Sequence, residues 1–151
     1  MAELKSILLV EDNARDVELI LTVLAENDLA GEVAVARDGE EALEYLFRRG
    51  RFSHRAEGSP AVVLLDLKMP RVDGFEVLRR IKSDETLKTV PVVILTSSGE
   101  ERDLADCYRL GINAYVVKPV GFERFVEAVR GIGAFWAILN ERAPGSVRKT
   151  G

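Results

Sequence analysis

The sequence predicts an α/β domain in which a parallel five-stranded sheet carries helices on both faces. Short apolar runs alternate strictly with amphipathic segments at helical spacing through most of the 151 residues. Five such strand–helix units imply parallel strands joined by helical crossovers. The run Ala61 to Leu65 is apolar throughout, the mark of a strand buried on both faces. The length suits one ordinary domain with a real core.

The elements follow in order. Ile7 to Val10 is the first strand, closed by Glu11-Asp12-Asn13; Asp12 or Asn13 can cap the helix that follows. Val17, Ile20, Leu21 and Leu24 fall at offsets of three and four, on one face of that helix. Val33 to Ala36 is a short second strand ended by the turn pair Asp38-Gly39, and Ala42, Leu43, Leu46 and Phe47 mark a second helix. Residues 48–60 read as a loop. The cluster Arg48, Arg49, Arg51, His54 and Arg55 within it reads as solvated charge.

Strand three ends at Asp66, and Phe75, Val77, Leu78 and Ile81 make a third helix. Val92 to Leu95 is strand four, followed by Thr96-Ser97-Ser98. Leu104, Cys107 and Tyr108 outline a fourth helix stopped by Gly111. Ala114 to Val117 is strand five, ending at Lys118-Pro119. From Phe122 through Phe125, Val129, Ile132, Phe135, Trp136 and Leu139, helical spacing continues for about five turns. Gly131 and Gly133 predict a bend or a close approach in this extended C-terminal helix. Residues 1–142 are expected to form the single domain, and 143–151 a polar tail with no output domain before it. For five units of this size the flavodoxin-like strand order 2-1-3-4-5 leads.

Composition narrows the function. A net charge of −4 and a pI near 5.2 disfavour nucleic acid as a direct partner. The single Cys107 allows no internal disulfide, no apolar stretch approaches the ~20 residues of a membrane span, and no signal core precedes Ile7. A cytoplasmic location is expected.

In a doubly wound sheet the carboxyl ends of the strands open on one edge, where ligands bind. That edge receives Glu11, Asp12, Asp66, Thr96 and Lys118 from four distant segments. Carboxylates a few ångströms apart repel by roughly 3 kcal/mol per pair at an effective dielectric of 20. A hard divalent cation such as Mg²⁺ would offset this. With a lysine and a hydroxyl beside it, the set suits phosphoryl transfer onto Asp66 as nucleophile. Taken singly, Asp12 could be only a cap, Thr96 a turn former and Lys118 a surface cation; their convergence is what favours a site.

These residues resemble the response-regulator receiver family over about residues 5–130. The resemblance is carried by ILLVEDN (7–13), DGEEAL (38–43), LLDLKMPRVDGFEVLRRIK (64–82), PVVILTSS (91–98) and GINAYVVKP (111–119). It implies that Asp66 takes a phosphoryl group from a sensor histidine kinase. Mg²⁺ (or Mn²⁺) would be held by Asp12, Asp66 and the Lys68 backbone carbonyl, with Glu11 acting through water. Thr96 and Lys118 would hold phosphoryl oxygens, and Tyr115 would turn inward as the readout. The Lys118–Pro119 bond is expected to be cis, and Lys68 and Ser98 should tune dephosphorylation.

The insertion before strand three and the segments KSDETLKTVPVVILTSS (82–98) and FWAIL (135–139) are similar to those of single-domain regulators paired with bacterial and cyanobacterial phytochrome kinases. That likeness implies red-light signalling and a homodimer, for which Phe135, Trp136 and Leu139 are candidate contacts; the downstream protein stays unidentified. A haloacid-dehalogenase-type phosphatase would instead need a second Asp where Lys68 stands. A flavin protein would need a phosphate-cradling loop where Glu11 and Asp12 stand. A receiver fold used only for binding would not need the full acidic set.

Overall fold

The computed structural model describes residues 6–26, 32–56, 58–69, 71–118, 121–141 and 143–144, with only the backbone of 137–139. Five strands, β1 (Ser6–Val10), β2 (Glu32–Ala36), β3 (Val62–Leu65), β4 (Val92–Thr96) and β5 (Ala114–Val117), form one all-parallel sheet in the order 2-1-3-4-5. The expected topology is therefore present. Residues 145–151, most of the expected tail, lie outside the described residues.

Successive strand residues face opposite sides of the sheet, and this alternation builds two cores. Leu8, Val10, Val63, Leu65 and Ile94 pack under α2 (Gly39–Leu46), α3 (Gly74–Ser83) and α4 (Glu101–Leu110). Ile7, Leu9, Val62, Leu64, Val93 and Leu95 pack under α1 (Ala14–Glu26) and α5 (Phe122–Ile132). β1, β3 and β4 are apolar in both sets because both of their faces are covered.

The helix starts are built by side-chain caps. Of the two candidates for α1 it is Asn13 that caps, its Oδ1 accepting from the Arg15 and Asp16 amides at 3.0 Å each. Asp38 caps α2 by accepting from the Glu41 amide at 2.8 Å, so Asp38-Gly39 opens the helix rather than forming a separate turn. Asp73 does the same for α3. Gly111, at φ +99°, ends α4 in the left-handed conformation, as expected.

Three expectations need correction. The 48–60 segment contains a 3-10 turn at Gly50–Phe52; Arg48, Arg49, Arg51 and His54 are exposed, as expected, but Arg55 is partly buried. Arg55 lies over the Tyr45 ring at 4.3 Å and donates to the Tyr45 carbonyl at 2.9 Å, while Arg49 lies over Phe47 and Arg51 over Phe52. In α4, Cys107 is buried as expected, but Leu104 and Tyr108 are exposed and Asp103 faces inward instead, so the helix is rotated from its expected face. Finally, Phe122 lies outside the apolar stripe at 69% exposure.

The C-terminal helix is extended, but its winding changes at Gly133. From Gly133 to Leu139 it is π-helical, and the Asn140 amide donates to the Phe135 carbonyl five residues back at 2.7 Å. Gly131 faces open space, which leaves no close approach there. Among the described residues no helix is long and apolar enough to cross a membrane.

Candidate functional site

Backbone hydrogen bonds carry the sheet one residue beyond its strands and thereby pin the site. The Asp66 amide donates to the Val10 carbonyl at 3.1 Å and the Glu11 amide to the Ala36 carbonyl at 3.0 Å. The Lys118 amide donates to the Thr96 carbonyl at 2.7 Å. Each functional side chain thus leaves the carboxyl edge from a rigid position.

Glu11, Asp12 and Asp66 each offer a carboxylate oxygen within 4.8 Å of the others. Glu11 and Asp66 are buried and Asp12 is exposed. Oδ1 of Asp66 is buried with no hydrogen-bond partner among the described residues. A buried carboxylate oxygen without a donor is costly and fits a position that receives a ligand. Together with the neighbouring carboxylates it fits a hard divalent cation bound through oxygen.

Lys118 supplies the counter-charge, with a wider reach than expected. Its Nζ donates to Glu11 Oε1 at 2.5 Å and to Asp16 Oδ2 at 2.8 Å, and lies 3.7 Å from Asp66 Oδ2. Burial acts to lower the Lys118 pKa, but the hydrogen bonds to Asp16 and Glu11 outweigh it and hold the ammonium above its usual 10.5. Burial pushes the Glu11 carboxyl up from 4.5 to about 7, against the pull of Lys118, and the charge of Asp66 adds to the rise. Asp16 was not foreseen, because an acidic residue in a first helical turn reads as ordinary dipole compensation.

Thr96 is fully buried, and its Oγ1 accepts from the Ser98 amide at 3.4 Å. Tyr115, half-buried, donates its hydroxyl to the Ser98 carbonyl at 2.8 Å. It therefore lies against the loop after β4, with the Ser98 segment between it and Thr96. Burial raises the Tyr115 pKa, so the phenol stays a donor at neutral pH. The Lys68 side chain is exposed on the facing loop and its ammonium lies 3.7 Å from Asp103. Asp103 was missed as well. Buried at 7% exposure, it accepts from the Ser98 hydroxyl at 2.6 Å.

A further unforeseen element is Gly74, the first residue of α3. A Cβ there would lie 2.2 Å from the Asp66 carbonyl oxygen and 2.6 Å from the Leu67 Cα. Away from the site, Phe135 is exposed and its ring meets Trp136 edge-on at 4.8 Å, while Trp136 itself packs on the α1–α5 core. The Leu139 side chain and Pro119, with its expected cis bond, lie outside the described residues.

Comparison with known proteins agrees with this geometry. The chain is 41% identical to the probable methanogenesis regulatory protein FilR2 of Methanothrix harundinacea, over 92% of this chain and 87% of that protein. It is 39% identical to response regulator Rcp1 of Synechocystis sp., over 87% of this chain and 88% of Rcp1. The Mn²⁺-bound form of Rcp1 superposes with a TM-score of 0.86 at 37% identity, covering 92% and 99% of the two chains. The phosphorylated cyanobacterial phytochrome response regulator RcpA gives 0.87 at 41%, covering 93% and 99%. The bacteriophytochrome response regulator AtBRR is 58% identical over 93% of this chain and all of AtBRR, with a TM-score of 0.73. The family model for the response regulator receiver domain matches residues 7–130, and the chain belongs to that family.

Proposed function

We propose that this protein is a single-domain response regulator that accepts a phosphoryl group on Asp66 from a sensor histidine kinase. The observation that carries this reading is the unpartnered, buried Oδ1 of Asp66, at the end of β3 beside Lys118 and two further carboxylates. Attack by an Asp66 oxygen forms the oxygen–phosphorus bond and breaks the nitrogen–phosphorus bond of the phosphohistidine donor. Asp12, Asp66 and the Lys68 carbonyl would hold Mg²⁺, with Glu11 acting through water. When bound, the ion supplies positive charge that offsets the carboxylates and the incoming oxygens. Lys118 and the Thr96 hydroxyl would meet phosphoryl oxygens, and Tyr115 would report the change through the Ser98 loop. This reading extends to the whole of residues 1–142 and to a cytoplasmic setting. Incubation with a radiolabelled phosphodonor tests it: the wild type should take label in Mg²⁺ and Asp66→Asn should not. Equal labelling of the two proteins defeats it.

The 58% identity to AtBRR favours a phytochrome kinase as the donor. Transfer from a bacteriophytochrome kinase should outpace transfer from unrelated kinases; equal rates remove that pairing. The exposed ring of Phe135 supports a homodimer through the C-terminal helix, for which Trp136 and Leu139 are further candidates. Sedimentation showing only monomer, with and without a phosphoryl mimic, would exclude the dimer.

A further inference from the structure

Ser98 is held at all of its polar groups. Its amide donates to Thr96 Oγ1 at 3.4 Å, its carbonyl accepts from Tyr115 at 2.8 Å, and its hydroxyl donates to Asp103 Oδ2 at 2.6 Å. The same Asp103 oxygen faces the Lys68 ammonium at 3.7 Å. Ser98 lies on the loop after β4 and Lys68 on the loop after β3, so one carboxylate draws together the two loops that flank Asp66 and Thr96. Asp103 is itself 7% exposed, and a carboxylate is kept at such a position only where it is paired. A place in the first turn of α4 would account for its sign but not for its burial or for two partners on separate loops.

We propose that Asp103 is a positioning residue that closes the rim of the site by tying Lys68 to Ser98, and thereby slows hydrolysis of the acyl phosphate on Asp66. The inference rests on Asp66 being the phosphoacceptor. In that hydrolysis a water oxygen bonds to phosphorus and the bond from phosphorus to the Asp66 oxygen breaks. The Asp66 carboxylate is restored, and inorganic phosphate and a proton leave to solvent. Lys68 and Ser98 lie two residues beyond Asp66 and Thr96, so a tether that limits how far their loops part also limits the room for water beside Asp66.

The test follows decay of labelled protein after a small-molecule phosphodonor is removed, in wild type, Asp103→Asn, Lys68→Ala and the double variant. Asp103→Asn keeps an acceptor for the Ser98 hydroxyl but loses the charge that holds Lys68. Each single variant should shorten the phosphate lifetime about threefold, the scale on which one partly exposed ion pair acts. The double variant should decay no faster than either single one, since both remove the same tether. Thermal unfolding measured in parallel separates this from damage to α4, which would lower the melting temperature without any coupling to Lys68. A wild-type lifetime in Asp103→Asn, or independent effects that multiply in the double variant, overturns the proposal while leaving phosphorylation of Asp66 intact. Failure of the wild type to take label at all overturns the phosphoacceptor reading, and this inference with it.

Discussion

Lys118 Nζ lies 2.8 Å from Asp16 Oδ2 and 3.7 Å from Asp66 Oδ2, so the site lysine is hydrogen-bonded to α1 and ion-paired at longer range with the proposed nucleophile. Glu11 takes a second bond from the same ammonium. One mostly buried cation thus compensates three acidic side chains, and its removal leaves them unpaired. Lys118→Ala should lower the unfolding free energy of the metal-free protein by about 3 kcal/mol, the lower end for breaking a buried pair. Asp16→Asn, which keeps a neutral acceptor at the more exposed end, should cost about 1 kcal/mol. Urea unfolding in chelator measures both, and equal losses would contradict the ranking.

Asp66 presents the opposite case. Its Oδ1 is unpartnered and its neighbours Glu11 and Asp12 are carboxylates, a cost that the shared Lys118 ammonium 3.7 Å from Oδ2 offsets only in part. Asp66→Asn should therefore raise the stability of the metal-free protein by about 1 kcal/mol, the low end for relieving an unpaired buried group. The same change should abolish the rise in melting temperature that Mg²⁺ gives the wild type through binding to the folded state. Scanning calorimetry with and without millimolar Mg²⁺ decides it; a variant still stabilised by Mg²⁺ like the wild type would place the ion elsewhere.

Glu11 carries a pH dependence of definite sign. Its carboxyl is raised by burial from 4.5 to about 7, so between those values the folded chain holds a proton that the unfolded chain has lost. Its contribution is fully present below pH 4.5 and is lost as the pH rises through about 7. The decline amounts to on the order of 3 kcal/mol across that window. Glu11→Gln should remove this slope and leave the contributions of other groups in place. Unfolding free energies in chelator from pH 5 to 8 give the difference, and parallel curves for the two proteins would refute it.

Much of this site was legible in the sequence for a geometric reason. Buried parallel strands are written as apolar runs, and the first polar residue after each run must stand at the carboxyl edge. Glu11, Asp66 and Lys118 could be placed from that rule alone. Asp16 and Asp103 could not, because a helical acid looks the same in sequence whether it faces solvent or a distant lysine. The rotation of α4 has the same origin. Leu104 and Tyr108 are four residues apart, as are Asp103 and Cys107; hydrophobicity placed Cys107 correctly but favoured Leu104 and Tyr108 over Asp103. What reversed the choice is the pairing of Asp103 with Ser98 and Lys68, contacts between segments far apart along the chain. The π-helical winding after Gly133 left only the two glycines as a sign.

Gly74 joins the fold to the chemistry most directly. It begins α3 where the helix crosses the backbone of Asp66, and its amide donates to the Leu67 carbonyl at 3.0 Å. An added Cβ would lie 2.2 Å from the Asp66 carbonyl oxygen, against main chain pinned to Val10 and unable to rotate away as a side chain would. Relief requires α3 to retreat or the Asp66–Leu67 segment to shift, and overpacking of this kind costs about 1–3 kcal/mol. Gly74→Ala should therefore lose stability on that scale and also take label from a phosphodonor more slowly, since Asp66 is displaced from its neighbours. A Gly39→Ala variant is the matched control. Its Cβ would meet the Val72 carbonyl oxygen at 1.9 Å, a comparable backbone clash at the start of α2 that does not touch Asp66. If the two variants lose stability alike but only Gly74→Ala slows labelling, Gly74 acts by positioning Asp66. If both slow labelling equally, the effect is one of general destabilisation and the positioning role is wrong.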